Sequence, residues 1–351
     1  MSVFSSPSFD QHELVAFTED PATGLKAIIA VHDTHLGAAL GGCRMFPYAN
    51  DADALEDVLR LSRGMTYKSA LAGLPMGGGK AVIIGDPYTQ KSDALLEAMG
   101  EFIDTLGGKY ITAEDSGTCV ADMKIIKRGT SFVSGVNDDE KFGGDPSPFT
   151  ALGIYCGIKA ALKHKTGLDS VNKLTVAVQG AGTVGCYLIE LLVKDGAEVY
   201  VADINHANLE KAALLGATPV AVDEILSLAV DVLAPCAMGG VINDESIATL
   251  RAKIIAGGAN NQLAESRHGE YLRQQGILYA PDFVINAGGV IHIHHQHMGT
   301  VVDSRAHIEN ISKTLLQIFS LSDRQNLSTV DVAEQMAEAK FKNTIVVEKV
   351  A

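Results

Sequence analysis

Apolar and polar positions along this chain follow two periods, and the switches between them outline its elements. Gly24 to His32 and Ala38 to Met45 are dense in apolar residues and separated by a turn-like stretch, which predicts two strands. Asn50 and Asp51 then cap a helix whose stripe Leu55, Val58, Leu59 and Met65 is interrupted by the polar Ser62, and which is expected to end just before Lys68. Ala81 to Ile84 reads as a short buried strand. Ser92 opens a second helix with Leu95, Leu96, Met99, Phe102, Ile103 and Leu106 on one face, stopped by Gly107 and Gly108. Tyr110 to Ala113 is a further strand, ending in the turn Glu114-Asp115-Ser116-Gly117, and ligands sit at such carboxyl ends in open α/β sheets.

A shift in composition follows, with Asn137-Asp138-Asp139-Glu140 and then Gly143-Gly144-Asp145-Pro146-Ser147-Pro148 marking a boundary or hinge. Beyond it the pattern alternates: helix 149–163, strand 174–179, helix 183–194, strand 198–203, helix 206–215, then strands 231–235, 253–258 and 277–280. Strands alternating with helices predict an α/β protein whose second half is a Rossmann-type, doubly wound parallel sheet. The stretch from about Val302 to Phe341 reads as two or three amphipathic helices.

At 351 residues the chain exceeds the roughly 100 to 200 of one domain, so two are expected with a cleft between them. The first comprises residues 1–140 together with a C-terminal helix of about 326–351; the second, residues 145–325. A formal net charge of −14 repels a phosphate backbone and an anionic membrane surface alike, so nucleic acid and membrane are set aside as partners. Five cysteines without a C-x-x-C pair fit buried thiols in a reducing compartment. With neither a signal-like start nor an apolar run long enough to cross a bilayer, a cytoplasmic protein is expected.

Candidate chemistry concentrates in two places. In the first half, Lys80 follows Gly77, Gly78 and Gly79, read as a bend where backbone approaches a ligand. A phosphate-binding P-loop is excluded, since Leu74 and Ala81 stand where that motif needs a glycine and a hydroxyl. Lys68, Lys80 and Asp115 are the candidates for proton chemistry. A lysine beside a second lysine in a desolvated site is expected to supply a neutral amine, with the carboxylate as shuttle. In the second half, Gly180-Ala181-Gly182-Thr183-Val184-Gly185 follows an apolar strand and opens a helix, and Asp203 ends the next strand. That is the context of a dinucleotide fingerprint. The Asp203 carboxylate would accept from the adenosine ribose and repel a 2′-phosphate, favouring NAD over NADP. The run His292, His294, His295, His297 lacks an adjoining carboxylate or cysteine, so it is read as a helix or loop with some exposed imidazoles, and no metal is expected. Cys236 is read as part of a strand-end turn along the cofactor site, not as a nucleophile.

These stretches, GMTYKSALAGLPMGGGKAVI, ITAEDSGT, GDPSPFTALG, VQGAGTVG, LAPCAMGG, AGGANNQLA and ILYAPDFVINAGG, resemble in order and over nearly the whole chain the glutamate, leucine, phenylalanine and valine dehydrogenase family. The resemblance implies reversible oxidative deamination, in which an L-amino acid, NAD and water give a 2-oxo acid, ammonium and NADH. It implies that the first domain binds substrate and forms the oligomer. It places Lys68 on the substrate carboxylate, Lys80 as the catalytic lysine and Asp115 as the acid/base. Gly41, Gly42 and Asn261 would orient substrate, and Thr150, Cys236 and Ala237 would lie along the cofactor. By the same resemblance Leu40, Met65, Ala113, Val290 and Ile293 line the side-chain pocket. All are apolar, which argues against a second carboxylate and for branched-chain substrates. An aromatic amino acid is the alternative, and a non-catalytic NAD sensor a more distant one. Hinge closure between the domains would expel water, and a homo-oligomer, dimer or octamer, is implied.

Overall fold

The computed structural model describes residues 3–136 and 145–342. The expected boundary signals Asn137 to Glu140 and Gly143-Gly144, and the expected last helix beyond 342, lie outside the described residues. The chain divides into two compact units, Met1–Asp145 with Gln296–Gly299 and Ala337–Ala351, and Pro146–His295 with Thr300–Met336.

Unit 1 is built on five strands, β1 (Leu14–Asp20), β2 (Leu25–Asp33), β3 (Ala39–Phe46), β4 (Gly77–Ile84) and β5 (Tyr110–Glu114), in the order β1-β2-β4-β3-β5. β1 and β2 run antiparallel, as do β2 and β4, whereas β3 lies parallel to both β4 and β5. β1 is the one strand here that the sequence pattern did not predict, because its alternation is weak and it leads straight into an acidic turn.

The sheet is covered on both faces. Helix α1 (Asp51–Ala72) packs Ala54, Leu55, Val58 and Leu59 against Ile28, Ala30 and Val82. On the opposite face α2 (Asp93–Asp104) and α3 (Val120–Ile126) bury Leu95, Met99, Ile103, Met123 and Ile126 against Ala27, Ile29, Cys43, Ala81 and Ile83. Local signals set the ends of α1. The Asn50 side chain accepts from the Asp53 N–H, and Gly73, left-handed at φ 70°, donates to the Ser69 and Ala70 carbonyls. The helix therefore runs on to Ala72, and Lys68 lies inside it, not past its end. Ser62 is fully buried without breaking it, because its hydroxyl bonds the Leu59 carbonyl one turn back.

Unit 2 holds a six-stranded sheet of β6 (Thr175–Gln179), β7 (Glu198–Ala202), β8 (Thr218–Pro219), β9 (Val232–Pro235), β10 (Ile254–Ile255) and β11 (Leu278–Tyr279). Every pairing is parallel, and the order β11-β10-β9-β6-β7-β8 is that of a doubly wound fold. Its helices are α4 (Ser147–Thr166), α5 (Thr183–Lys194), α6 (His206–Leu214), α7 (Arg267–Gln274) and α8 (Asp282–Ile285), then α9 (Gly288–Met298), α10 (Ser304–Glu309), α11 (Ile311–Gln325) and α12 (Thr329–Phe341), of which α9 and α12 run on into unit 1. No described helix is long and apolar enough to cross a membrane.

Within unit 1 the chain's return is tied to α1. Phe341 is 1% exposed and packs edge-on to Tyr67 and His32, and Lys340 donates to the Ala70 carbonyl at 2.8 Å.

Candidate active site

The glycine trio departs from the expected bend. Gly77, Gly78 and Gly79 are regular residues of β4, and none has a positive φ. Close approach is what demands glycine there. A Cβ on Gly78 would stand 2.0 Å from the Thr66 amide nitrogen on α1, and one on Gly77 would stand 2.1 Å from the Asp33 carbonyl oxygen. Gly78 lets α1 lie directly on the strand that carries Lys80, while Gly77 admits the Asp33 carbonyl and Gly79 the Tyr110 ring.

Strand alternation then decides which side chains share a face. Leu40 pairs with Gly78, Arg44 with Val82 and Gly42 with Ala113, so Leu40, Arg44, Lys80 and Ala113 all face α1. Leu40 and Ala113 are buried, while Met65 and Lys68 on α1 are half-buried. Asp115 follows β5 on the same side, and Lys80 Nζ forms a buried ion pair with its Oδ2. Lys80 thus meets the carboxylate that the sequence placed in the same cleft. Asp115 Oδ1 accepts from the Ser116 N–H at 2.6 Å, and Arg44 Nε lies 3.8 Å from Oδ2. Burial alone would push the Asp115 carboxyl up, but the Lys80 ammonium and the Arg44 guanidinium outweigh it and hold it at about 2.

Gly41 and Gly42 are required by close approach to other neighbours, the β4 backbone and Asp115. A Cβ on Gly41 would meet the Gly79 carbonyl oxygen at 1.7 Å, and one on Gly42 the Asp115 Cβ at 2.7 Å. Two charged neighbours escaped the sequence reading. Arg44 stands two positions beyond Gly42, and its alternation with Leu40 was the available signal. Glu114 lies on the opposite face, paired with Cys43; burial, with Asp145 and Asp115 nearby, raises its carboxyl to about 7.

In unit 2 the order of strands reverses between β6 and β9, the place where doubly wound sheets bind ligands. The loop after β6 is Gly180 to Gly185, and the turn after β9 is Cys236 and Ala237, side by side: a Cβ on Gly180 would stand 2.7 Å from that of Ala237. The three fingerprint glycines differ in duty. Gly180 has φ 100°, Gly185 passes so close to the Gly180 carbonyl that a Cβ would stand 2.1 Å from its oxygen, and Gly182 opens onto empty space at the start of α5. No side chain caps that helix, and the space beside Gly182 fits a phosphate approaching its N–H groups.

Asp203 follows β7. One oxygen accepts from the Ala181 N–H at 2.7 Å and the other from the Asn205 N–H at 2.8 Å. These bonds fix the carboxylate in the loop and leave a lone pair on each oxygen for a ribose hydroxyl. The donor set fits a dinucleotide. Burial pushes the Cys236 thiol up to about 11, the state of an unreactive cysteine.

Elsewhere in unit 2, Thr150 on α4 donates to the Pro146 carbonyl at 3.2 Å, and a Cβ on Gly289 would meet its hydroxyl at 2.5 Å. Asn261 is exposed with φ 51° and accepts from the Gly240 N–H at 2.7 Å. Val290 and Ile293 lie on α9. The histidine run is helical and only partly exposed: His292 is 1% exposed, stacked on Phe149, and His294 is buried too. Over this stretch α9 is covered nearly all round, Ile291, Ile293 and Gln296 being buried as well, which a reading of exposed imidazoles did not foresee.

Residues 12–132 match the family described as Glu/Leu/Phe/Val dehydrogenase, dimerisation domain, and residues 203–351 match that described as Glutamate/Leucine/Phenylalanine/Valine dehydrogenase. A leucine dehydrogenase of Geobacillus stearothermophilus is 48% identical over 344 residues, 97% of this chain and 94% of that one. A phenylalanine dehydrogenase of Bacillus thermotolerans is 44% identical over 339 residues, covering 95% and 89%. Among solved structures, the L-tryptophan dehydrogenase of Nostoc punctiforme superimposes with a TM-score of 0.80 at 43% identity, over 95% of this chain and 97% of that one.

Proposed function

The chain belongs to the glutamate/leucine/phenylalanine/valine dehydrogenase family and is an amino-acid dehydrogenase, and on that premise we propose that it oxidatively deaminates L-leucine and other branched-chain L-amino acids with NAD. The observation that carries this reading is the buried Lys80–Asp115 ion pair on the face of the unit 1 sheet that also presents Leu40 and Ala113. Charge for proton chemistry and apolar surface for an aliphatic side chain lie on one face.

Lys68 pairs with the substrate carboxylate and fixes the α-carbon. NAD, when bound, accepts the hydride from that carbon. Gly180, Gly182 and Gly185 would hold its pyrophosphate against α5, and Asp203 its adenosine ribose. Lys80 donates a hydrogen bond to the attacking water and to the oxygen that becomes the carbonyl, so negative charge developing there meets an ammonium. Asp115, ionised at neutral pH, takes the proton from that water and returns it to the departing nitrogen. The balance is an L-amino acid, water and NAD going to a 2-oxo acid, ammonium, NADH and a proton. Leu40 and Ala113 themselves offer a substrate side chain apolar surface only, which favours an aliphatic one.

Mixing protein, NAD and L-leucine, L-valine or L-isoleucine at alkaline pH and following NADH absorbance tests the proposal. Turnover with the aliphatic amino acids is expected, and none with any of them sinks it. The second reading, an aromatic substrate, is supported by 43% identity to the tryptophan dehydrogenase and 44% to the phenylalanine dehydrogenase. Higher kcat/KM for phenylalanine or tryptophan than for leucine would establish it instead.

A further inference from the structure

Arg44 is placed in a way that its own fold contacts do not account for. It projects from β3 on the α1 face, where its Nη1 donates to Asp57 Oδ2 at 2.8 Å, and the Tyr48 hydroxyl donates to the same oxygen at 2.5 Å. Asp57 and Tyr48 thus hold one side of the guanidinium against α1. The other side faces Asp115. There the Nε–H is buried without a hydrogen-bond partner, and Asp115 Oδ2 lies 3.8 Å away, drawn toward Lys80. A guanidinium whose fork is anchored and whose Nε–H is buried and unmade is unusual, because buried donors are almost always satisfied.

A short rotation of the Asp115 side chain would satisfy it. Oδ1 is already held by the Ser116 N–H at 2.6 Å, so Oδ2 is the oxygen free to swing between two cations on either side. We propose that Arg44 is a positioning residue for the deamination described above: its Nε–H takes the Asp115 Oδ2 whenever Lys80 turns to the substrate, so the carboxylate keeps its place through the reaction. The inference rests on that reading of the site. It assigns Arg44 no contact with substrate. Four charges, Lys80 and Arg44 against Asp115 and Asp57, then balance in both arrangements. When Lys80 is engaged elsewhere, Asp115 still faces a cation. The supporting electrostatics agree: burial would push the Asp115 carboxyl up, and Arg44 is the second cation, after Lys80, that holds it down.

The test is steady-state kinetics of full-length Arg44→Gln and Arg44→Lys across pH, with L-leucine and NAD. Arg44→Gln is expected to lower kcat by about tenfold or more, to change KM for leucine by less than about threefold, and to move the acid limb of the kcat profile to higher pH. Arg44→Lys keeps the charge but cannot serve Asp57 and Asp115 at once, so its acid limb is expected near that of the wild type with kcat still reduced several-fold. A folded Arg44→Gln whose acid limb does not move, with kcat falling only in step with thermal stability, reduces Arg44 to a structural ion pair and overturns the inference. If Arg44→Gln does not fold, Arg44→Lys decides, and a wild-type kcat in that variant overturns it. Wild-type protein inactive on every amino acid removes the proposed function and this inference with it, whereas an active wild type with indifferent Arg44 variants removes this inference alone.

Discussion

At Asp115 burial and charge pull in opposite directions, and charge wins. Two cations keep the carboxyl at about 2, so a base stands ready at neutral pH in a place that would otherwise favour the acid. Lys80→Ala removes the nearer cation and is expected to abolish turnover while leaving NAD affinity nearly unchanged; normal turnover in that variant would take Lys80 out of the mechanism. Glu114, one residue earlier and on the opposite face, shows the reverse balance. With no cation among the groups that shift it, burial and the neighbouring carboxylates raise it from 4.5 to about 7. The folded protein therefore holds a proton there that the unfolded chain has lost, and the cost of ionising it in the fold grows as pH rises from 4.5 to about 7. Glu114→Gln is expected to raise the melting temperature at pH above this window and to change it little below. Equal effects at both ends would place the cause elsewhere.

At the scale of elements, unit 1 depends on how closely α1 lies on β4. Gly78→Ala would force a Cβ to within 2.0 Å of the Thr66 backbone nitrogen, which cannot yield without moving the helix. A loss of about 3 kcal/mol or more is expected from overpacking, with activity falling as Lys80 and Lys68 lose register. Denaturant unfolding measures the first and kinetics the second. The same layer carries His12 and His32 in edge-to-face contact. Burial lowers both imidazoles, and together with the neighbouring His12 it takes His32 to about 3. Below 6.5 the unfolded chain takes up protons that the folded one does not, so stability falls as pH drops from 6.5 toward about 3. In the Glu114→Gln background, where the opposing carboxyl is gone, a melting temperature that stays flat between pH 7 and 5 would contradict this. Phe341 closes the cluster, and Phe341→Ala is expected to cost about 3 to 5 kcal/mol by the cavity it leaves.

At the scale of the molecule, the proposed reaction draws on unit 1 for proton chemistry and on unit 2 for the dinucleotide. The Asp203 carboxylate, fixed by two backbone N–H groups, would repel the charge of a 2′-phosphate. NAD is expected to support turnover at least about tenfold better than NADP in kcat/KM, and equal use would refute the role of Asp203. The match of residues 12–132 to a dimerisation domain supports a homo-oligomer, whose size light scattering on the purified protein would give.

Much of this was legible along the chain, because some signals are local. The caps Asn50 and Ser92, the periods of the helices and the strand–glycine–helix order around Gly180 need only neighbours in sequence, and α5 begins at Thr183 and ends at Lys194 as expected. So do Lys80 and Asp115 as residue types suited to proton transfer. What the sequence could not decide were matters of approach between distant segments. Three glycines in a row look the same whether they turn a chain or let a helix lie on a strand, and only the Thr66 backbone packed against Gly78 distinguishes the two. Lys80 pairs with Asp115, and Arg44 joins them, because sheet register sets which side chains share a face. Pattern along the chain determined the elements and the kinds of groups available; tertiary packing alone decided which charges stand together, since that depends on distances that sequence separation does not contain.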